Sequence, residues 1–356
     1  MKILSIIGAR PQFVKEAIVQ NEISKFNDIK EVVVHTGQHY DENMSGIFFE
    51  VLNMKKPEYN LGVSASSHGE MTGKMLIELE KIMIKENPDL VLLYGDTNST
   101  LAGAIAASKL KINIAHVEAG LRQKPKDMPE ETNRVLTDRI STYLFSPSDT
   151  GIENLKNEGI TQGVYFTGDV MYDIFLKMRP KFDYTLMERL GLKENKFIMM
   201  TLHRDFNVDI KEKLEIILKE VNSVSRKIKV VLPIHPRTKK RIKEFGLENL
   251  INDIMVIEPI DYLQLMGLTA KCLKVVTDSG GYQKEAYFAS KQAVIIMPDT
   301  GWRELTDFGL NVLSDENNIY NNVMSDKKVN YVQDIYGDGK AAERIVSILR
   351  NDYLNK

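Results

Sequence analysis

The sequence predicts an α/β protein built from two doubly wound domains. Three observations predict it. Short β-branched runs alternate with longer helical patterns along the chain. Several of those runs are apolar on both faces, as strands buried in a parallel sheet are. The alternation pauses near residues 171–179 and then restarts. Strands alternating with helices imply right-handed βαβ units. A length of 356 residues fits two domains of about 150 residues each.

In chain order, the first half reads as strands at 3–7, 31–35, 90–94, 112–117, 143–145 and 164–166. Helical patterns lie between them at 12–25, 68–85, 99–109, 130–140 and 150–158. Residues 173–181 read as a linker, punctuated by Pro180. The second half gives strands at 197–202, 229–233, 254–257, 273–277 and 293–297, each followed by a helix or a turn. A last helix spans 340–354 and fits on either domain. There is no short repeat and no low-complexity tract.

Composition narrows the function classes. Hydrophobic residues at 43% and charged residues at 27% describe an ordinary globular chain, neither disordered nor collagen-like. Lys plus Arg number 47 against 49 Asp plus Glu, a net charge of −2. That lacks the basic excess of a nucleic-acid binder. The single cysteine, Cys272, excludes an intrachain disulfide and fits a reducing compartment. It reads as a buried approach to a strand. The apolar run at 1–7 is too short for a signal peptide. No stretch approaches the ~18 apolar residues of a membrane span. The expectation is a cytoplasmic protein with no membrane and no nucleic acid among its partners.

In open α/β sheets, ligands bind beyond the carboxyl ends of strands, and domain interfaces favour pockets. The expected site is therefore a cleft between two facing domains, lined by strand-end motifs. The first strand ends in Gly8-Ala9-Arg10-Pro11, with Lys15 one turn into the helix. A helix N-terminus beside Arg10 suits a phosphate; the plain alternative is a turn with solvated basic residues. It is neither GxGxxG nor GxxxxGK[ST], so neither a dinucleotide fingerprint nor a P-loop is supported. The second strand runs into His35-Thr36-Gly37-Gln38-His39-Tyr40-Asp41. No HExxH arrangement or Cys partner accompanies its histidines, so hydrogen bonding outranks metal binding.

The third strand gives Asp96 in Gly95-Asp96-Thr97-Asn98-Ser99-Thr100. Asp96 competes with Thr97, Asn98 and Ser99 for the role of helix cap. The fourth gives His116-Val117-Glu118-Ala119-Gly120-Leu121-Arg122, where a Glu at a strand end has no obvious structural duty. Pro129-Glu130-Glu131 opens the next helix, with the carboxylates favoured by the macrodipole. Arg134 lies four residues after Glu130, on the same face.

The second domain offers His203-Arg204-Asp205, His235-Pro236-Arg237 and Asp278-Ser279-Gly280-Gly281. The last is the strongest: a strand, then Ser-Gly-Gly, then a helix opening presents backbone N–H groups to a diphosphate. Glu285, one turn in, suits ribose hydroxyls. Asp96, Glu118 and Glu130 in one domain, with a phosphate cradle and His203 in the other, suggest proton transfer on a group attached to a nucleotide diphosphate.

These motifs resemble the non-hydrolysing UDP-N-acetylglucosamine 2-epimerase family. The resemblance covers most of the chain, in order: GARPQFVK at 8–15, HTGQHYD at 35–41, GDTNST at 95–100, HVEAGLR at 116–122 and PEETNR at 129–134. It continues with HR at 203–204, EPIDY at 258–262, TDSGGYQKEA at 277–286 and YGDGKAAERI at 336–345. It implies two Rossmann-like domains in a glycosyltransferase-B-like arrangement. The last helix then belongs to the first domain, so the expected boundaries are 1–172 plus 340–356, and 173–339. It implies loss of the substrate C2 proton with expulsion of UDP from C1, a 2-acetamidoglucal-type intermediate, and UDP re-addition. No cofactor and no metal are implied, and a homodimer in polysaccharide biosynthesis is.

By the resemblance, Asp96, Glu118, Glu130 and His203 serve the chemistry. Arg10, Ser279, Gly280 and Gly281 join His203 on the diphosphate, and Glu285 takes the ribose. Lys15 and Arg134 support the carboxylates or phosphates. The chain departs from the commonest pattern in several places. The usual GTRPE is Gly8-Ala9-Arg10-Pro11-Gln12, which predicts no carboxylate near Lys15. The usual HRRE is His203-Arg204-Asp205-Phe206. The loop between Glu118 and Glu130 is about two residues short. Members with this variant pattern include enzymes for UDP-2,3-diacetamido-2,3-dideoxy-glucuronate, whose C6 carboxylate asks for a further cation; Arg303 is a candidate, or else a surface helix charge. A glycosyltransferase on the same fold is the alternative class.

Overall fold

The computed structural model describes residues 1–37, 54–65, 67–126 and 128–355, the Arg10 side chain excepted. Its contacts divide the chain into two compact units, Met1–Leu176 with Asp334–Lys356, and Lys177–Gln333.

The first unit is a parallel sheet of β1 (Lys2–Ile7), β2 (Lys30–His35), β3 (Tyr59–Asn60), β4 (Leu90–Tyr94), β5 (Asn113–Val117), β6 (Tyr143–Ser146) and β7 (Val164–Phe166). Its helices are α1 (Arg10–Ile23), α2 (His68–Glu86), α3 (Asn98–Lys109), α4 (Pro129–Ile140), α5 (Asp149–Asn157) and α6 (Val170–Met178). The second unit holds β8 (Phe197–Thr201), β9 (Lys229–Pro233), β10 (Met255–Ile257), β11 (Lys274–Thr277), β12 (Ala293–Ile296) and β13 (Asn311–Ser314), again parallel. Its helices are α7 (Thr185–Arg189), α8 (Asp205–Val208), α9 (Lys211–Ser225), α10 (Pro236–Phe245), α11 (Tyr262–Lys271), α12 (Gly280–Phe288), α13 (Arg303–Asp307) and α14 (Ile319–Met324). The last helix, α15 (Ala341–Leu354), packs on α1.

The strand order of the first sheet is β3-β2-β1-β4-β5-β6-β7, and that of the second is β10-β9-β8-β11-β12-β13. Each order reverses direction once, between β1 and β4 and between β8 and β11. Helices leave opposite faces there, which opens a crevice at the strand carboxyl ends. The motifs after β1 and β4, and those after β8 and β11, therefore stand at the two switch points.

Apolar burial holds these strands. In the first unit Leu4, Ile6, Val91 and Leu93 meet Met75 and Leu79 of α2 and the alanines of α3 in one core. Small residues let α3 lie close to the sheet. A Cβ at Gly103 would come within 2.8 Å of both Ile6 and Leu93 side chains. In the second unit Ile198, Met200, Val230 and Leu232 pack under Leu214, Ile217, Leu218 and Val221 of α9. Cys272 is fully buried where α11 ends, and burial pushes its thiol up to about 12. Among the described residues, no helix is long and apolar enough to cross a membrane.

The structure moves two sequence expectations. The edge strands β3 and β13 carry too few apolar residues to read as strands. The expected boundary at 172/173 and the change of unit at 176/177 both fall inside α6, and the chain returns to the first unit at 333/334 where 339/340 was expected. Asp173 of α6 reaches across to the returning segment. Its buried carboxylate accepts the Ala341 and Ala342 N–H groups at 3.0 and 2.8 Å, capping α15 and tying it to α6. Burial raises its pKa to about 6, against the lowering effect of those two bonds.

Candidate active site

The first switch point begins with a close approach. Gly8 lies where a Cβ would fall 2.1 Å from Ser99 Oγ and 2.3 Å from Thr36 Oγ1, so only glycine fits the turn after β1. Gln12 fastens that turn to the one after β4. Its Oε1 accepts the Gly8 and Ala9 N–H groups at 2.8 and 3.0 Å. Its Nε2 shares its protons among the Tyr94 carbonyl at 2.6 Å and the Thr97 and Thr100 hydroxyls at 3.0 and 2.9 Å. The departure at position 12 is thus a buried donor, which a carboxylate cannot replace.

Thr97 caps α3, accepting the Thr100 N–H. Asp96 is therefore not the cap. Its carboxylate is paired with Arg134, and its backbone carbonyl accepts from Asn133 Nδ2 at 2.9 Å. The Asp96 side chain is 32% exposed, whereas Arg134 is buried. Arg134 also binds Glu131 at 2.7 Å, not the expected Glu130. Glu131 is buried and takes the Gln123 N–H as well, tying the loop after β5 to α4. Glu130 is exposed on the first turn of α4. Sequence spacing placed Arg134 on the face of Glu130, and the i,i+3 neighbour Glu131 takes the contact, since both spacings are open on a helix.

Glu118 follows β5 with φ +79°, a conformation that non-glycine residues adopt only when their surroundings hold it. Its N–H and that of Ala119 both bond the Phe145 carbonyl, at 3.0 and 3.1 Å. Its side chain forms an ion pair with Lys15, and both are largely buried. A Cβ built on Gly95 would stand 3.6 Å from Lys15 Nζ and 3.8 Å from Glu118 Oε2, which places the pair against the turn that bears Asp96. The expectation of no carboxylate near Lys15 is corrected: Glu118 supplies it from a different strand. The Arg10 side chain, Gln38 and His39 lie outside the described residues. His35 is buried, with its Nδ1 3.3 Å from Asn60.

The second switch point is built on Asp278, which is fully buried. Its carboxylate accepts the His203 N–H at 3.0 Å, the Arg204 N–H at 2.8 Å and Asn207 Nδ2 at 3.2 Å. His203 Nδ1 lies 3.3 Å from the same carboxylate. Burial lowers the His203 pKa, Asp278 opposes this, and Arg204, His235 and Arg237 add to the lowering. Thr201 and Thr277, register partners on β8 and β11, join hydroxyls at 2.6 Å.

Ser279 caps α12 through its hydroxyl, and its own N–H is taken by Thr277 Oγ1 at 2.9 Å. The expected Ser279 N–H donor is thus committed. Gly280 and Gly281 occupy the first turn, where no helix carbonyl reaches their N–H groups. A Cβ at Gly281 would meet nothing within 4 Å, and one at Gly280 only Arg204 at 3.9 Å. Trp302 Nε1 donates to the Gly280 carbonyl at 3.0 Å and steadies the turn. Glu285 faces the buried Tyr262 hydroxyl, whose pKa is raised by burial and then by the Glu285 charge. Arg303 is paired with Asp299 at 3.1 Å on the surface of α13. Among the described residues, no group of three or more His, Cys, Asp or Glu is placed to hold a metal.

Sequence reasoning missed Asp138 and the anchoring roles of Glu131 and Gln12 in the first unit, and the organising role of Asp278 in the second. Asp278 was visible inside a quoted motif. Asp138 had no such signal.

Residues 21–350 match the family model described as UDP-N-acetylglucosamine 2-epimerase. The chain is 46% identical to a UDP-N-acetylglucosamine 2-epimerase homolog of Methanococcus maripaludis, over 99% of this chain and 100% of that one. It is 45% identical to the UDP-2,3-diacetamido-2,3-dideoxy-D-glucuronate 2-epimerase of Pseudomonas aeruginosa, over 98% and 99% of the two chains. The solved structure of Methanocaldococcus jannaschii UDP-GlcNAc 2-epimerase, in complex with UDP-GlcNAc and UDP, superposes with a TM-score of 0.87 at 41% identity, covering 99% and 100%. With the fold, the switch-point motifs and near-complete coverage in agreement, the chain belongs to the UDP-N-acetylglucosamine 2-epimerase family.

Proposed function

We propose that this chain inverts C2 of a UDP-N-acetylated hexosamine, of the UDP-N-acetylglucosamine to UDP-N-acetylmannosamine type. The observation that carries the reading is the first switch point. Asp96 and Glu118 end adjacent strands, and each carboxylate is held by its own cation. These ion pairs fix both carboxylates in place, which a group that takes or delivers a proton at one carbon requires.

A carboxylate takes the C2 proton, and the C1–O bond breaks with its electrons leaving on UDP. The C2–H pair becomes the C1–C2 double bond of a 2-acetamidoglucal. UDP oxygen then re-adds at C1 while a proton is delivered to the opposite face of C2. Asp96, Glu118 and Glu130 carry or support these transfers; base and acid are not divided among them. His203, Arg10 and the first turn of α12 at Ser279, Gly280 and Gly281 hold the diphosphate, with backbone donors at Gly280 and Gly281 rather than Ser279. Glu285 takes the ribose, and Lys15 and Arg134 fix the carboxylates. The sequence is redox-neutral and uses no hydride carrier.

The relative at 45% identity favours a second substrate, UDP-2,3-diacetamido-2,3-dideoxy-glucuronate. Arg303, the candidate for its C6 carboxylate, is already paired with Asp299. We further infer a cytoplasmic homodimer serving polysaccharide biosynthesis; light scattering tests the dimer.

Proton NMR in deuterated water, with UDP-N-acetylglucosamine and no acceptor, tests the reading. The expected product carries deuterium at C2, and free UDP does not accumulate. Turnover without exchange at C2 sinks the proposal. Free UDP rising in step with product indicates hydrolysis, and a requirement for an acceptor indicates a transferase. The same assay with the diacetamido uronate decides between the two sugars.

A further inference from the structure

Behind Glu118 lies a buried polar chain that the proposed chemistry does not use. Asp138, on the inner face of α4, is 1% exposed. Its Oδ1 lies 2.7 Å from His116 Nδ1, and its Oδ2 accepts from the Gly120 N–H at 3.1 Å and Arg122 Nη1 at 2.8 Å. The other ring nitrogen, His116 Nε2, faces the Gly95 carbonyl at 2.7 Å. Burial acts to raise the Asp138 pKa, yet His116 and Arg122 hold it below the usual range.

The placement of these contacts is specific. Gly95 directly precedes Asp96. His116 and Gly120 stand two residues before and two after Glu118, the residue held at φ +79°. The Phe145 carbonyl fixes the Glu118 and Ala119 N–H groups from one side. The Asp138 carboxylate fixes the next N–H, that of Gly120, from the other. One side chain thus grips the Glu118 turn directly and the Asp96 turn through one imidazole. A cap or a core packing role would require neither pair of contacts.

We propose that Asp138 is a positioning residue that, through His116 and the Gly120 N–H, sets the separation of the Asp96 and Glu118 turns. The inference rests on the assignment of those two carboxylates to proton transfer. Asp138 does not touch the substrate, so it acts on the rate of the chemical step and not on affinity.

The test is a double-mutant cycle of Asp138→Asn and Glu118→Gln, read by steady-state kinetics on UDP-N-acetylglucosamine, C2 deuterium exchange and UDP titration. Asp138→Asn is expected to lower kcat about 10²-fold, the scale of a 1 Å misplacement, with KM and UDP affinity within about threefold. In the Glu118→Gln background the same change is expected to cost less than about threefold, because its route of action is gone. A wild-type kcat in Asp138→Asn, or losses that multiply fully in the double variant, overturns the inference while Glu118→Gln alone remains slow. A wild-type kcat in Glu118→Gln overturns both this inference and the functional reading beneath it. If Asp138→Asn fails to fold, His116→Gln carries the same expected loss and the same overturning result.

Discussion

The two switch points solve one problem in opposite ways. Both place a buried aspartate under a polar turn that follows a strand. In the first unit, Asp138 is answered by side-chain donors on His116 and Arg122, and the turn above it bears a carboxylate. In the second, Asp278 is answered mainly by backbone N–H groups and Asn207, and the turn above it bears His203 and Arg204. The first arrangement leaves two acids at the strand ends, a largely buried Glu118 and a partly exposed Asp96, each with its own cation. The second leaves cations and helix N–H groups. The difference teaches that the same topology sets either sign of charge, depending on what neutralises the aspartate beneath.

The sharpest way to break this comparison is to remove charge from each turn. Glu118→Gln, or Asp96→Asn, is expected to lower kcat by about 10²–10⁴. UDP affinity should stay within about twofold by calorimetry. Asp278→Asn is expected to do the reverse first. Its amide cannot accept all of the bonds that the carboxylate takes, and losing a charge-assisted bond costs about 1.5–3 kcal/mol. UDP affinity should fall about tenfold or more.

The acid–base side of the contrast concerns stability. Asp173 in the first unit has a pKa raised to about 6, and burial also raises those of Glu16 and Glu31. A raised carboxyl stabilises the fold fully below its unfolded pKa and loses that contribution as pH rises through the folded value. For Asp173 the window runs from about 4 to about 6, and the amount is about 3 kcal/mol. Thermal melts across that window should show a shallower pH slope in Asp173→Asn than in the parent. An unchanged slope would remove Asp173 from the balance.

Two smaller effects sharpen the picture. Gln12→Glu keeps the acceptor for Gly8 and Ala9 but loses every donor to Tyr94, Thr97 and Thr100. A destabilisation of about 1–3 kcal/mol in denaturant melts is expected. Gly281→Ala should leave stability within about 1 kcal/mol, or raise it, since its Cβ meets nothing within 4 Å. A drop in UDP affinity without a drop in melting temperature would mark that turn as a ligand cradle.

Much of this was legible in the sequence. Doubly apolar runs such as 90–94 and the alternating helices gave the sheets. Strand-end polar clusters gave Asp96, Glu118, His203 and the Ser-Gly-Gly turn. The supports beneath were less legible. Asp138 sits eight residues past Glu130 in a helix where a charge reads as solvated, and only the fold turns it inward. Gln12 read as a missing carboxylate, because three of its five partners, Tyr94, Thr97 and Thr100, come from the end of β4 and the start of α3. The Lys15–Glu118 pair joins α1, which follows β1, to the turn after β5, and only the sheet order brings these two together, on either side of β4. The Ser279 N–H read as an available donor, because nothing local reveals that Thr277 takes it. Edge strands β3 and β13 escaped for want of apolar residues to bury.

The return of α15 to the first unit has a consequence for biosynthesis. Asp173 caps that helix, it packs on α1, and Arg350 binds Asp28 at 2.8 Å. Residues 177–333 therefore form a unit inserted within another. Domains tend to fold as they emerge from the ribosome. The inserted unit lies wholly between the two parts of its host, so the host completes its fold only after all of the guest's residues have been made.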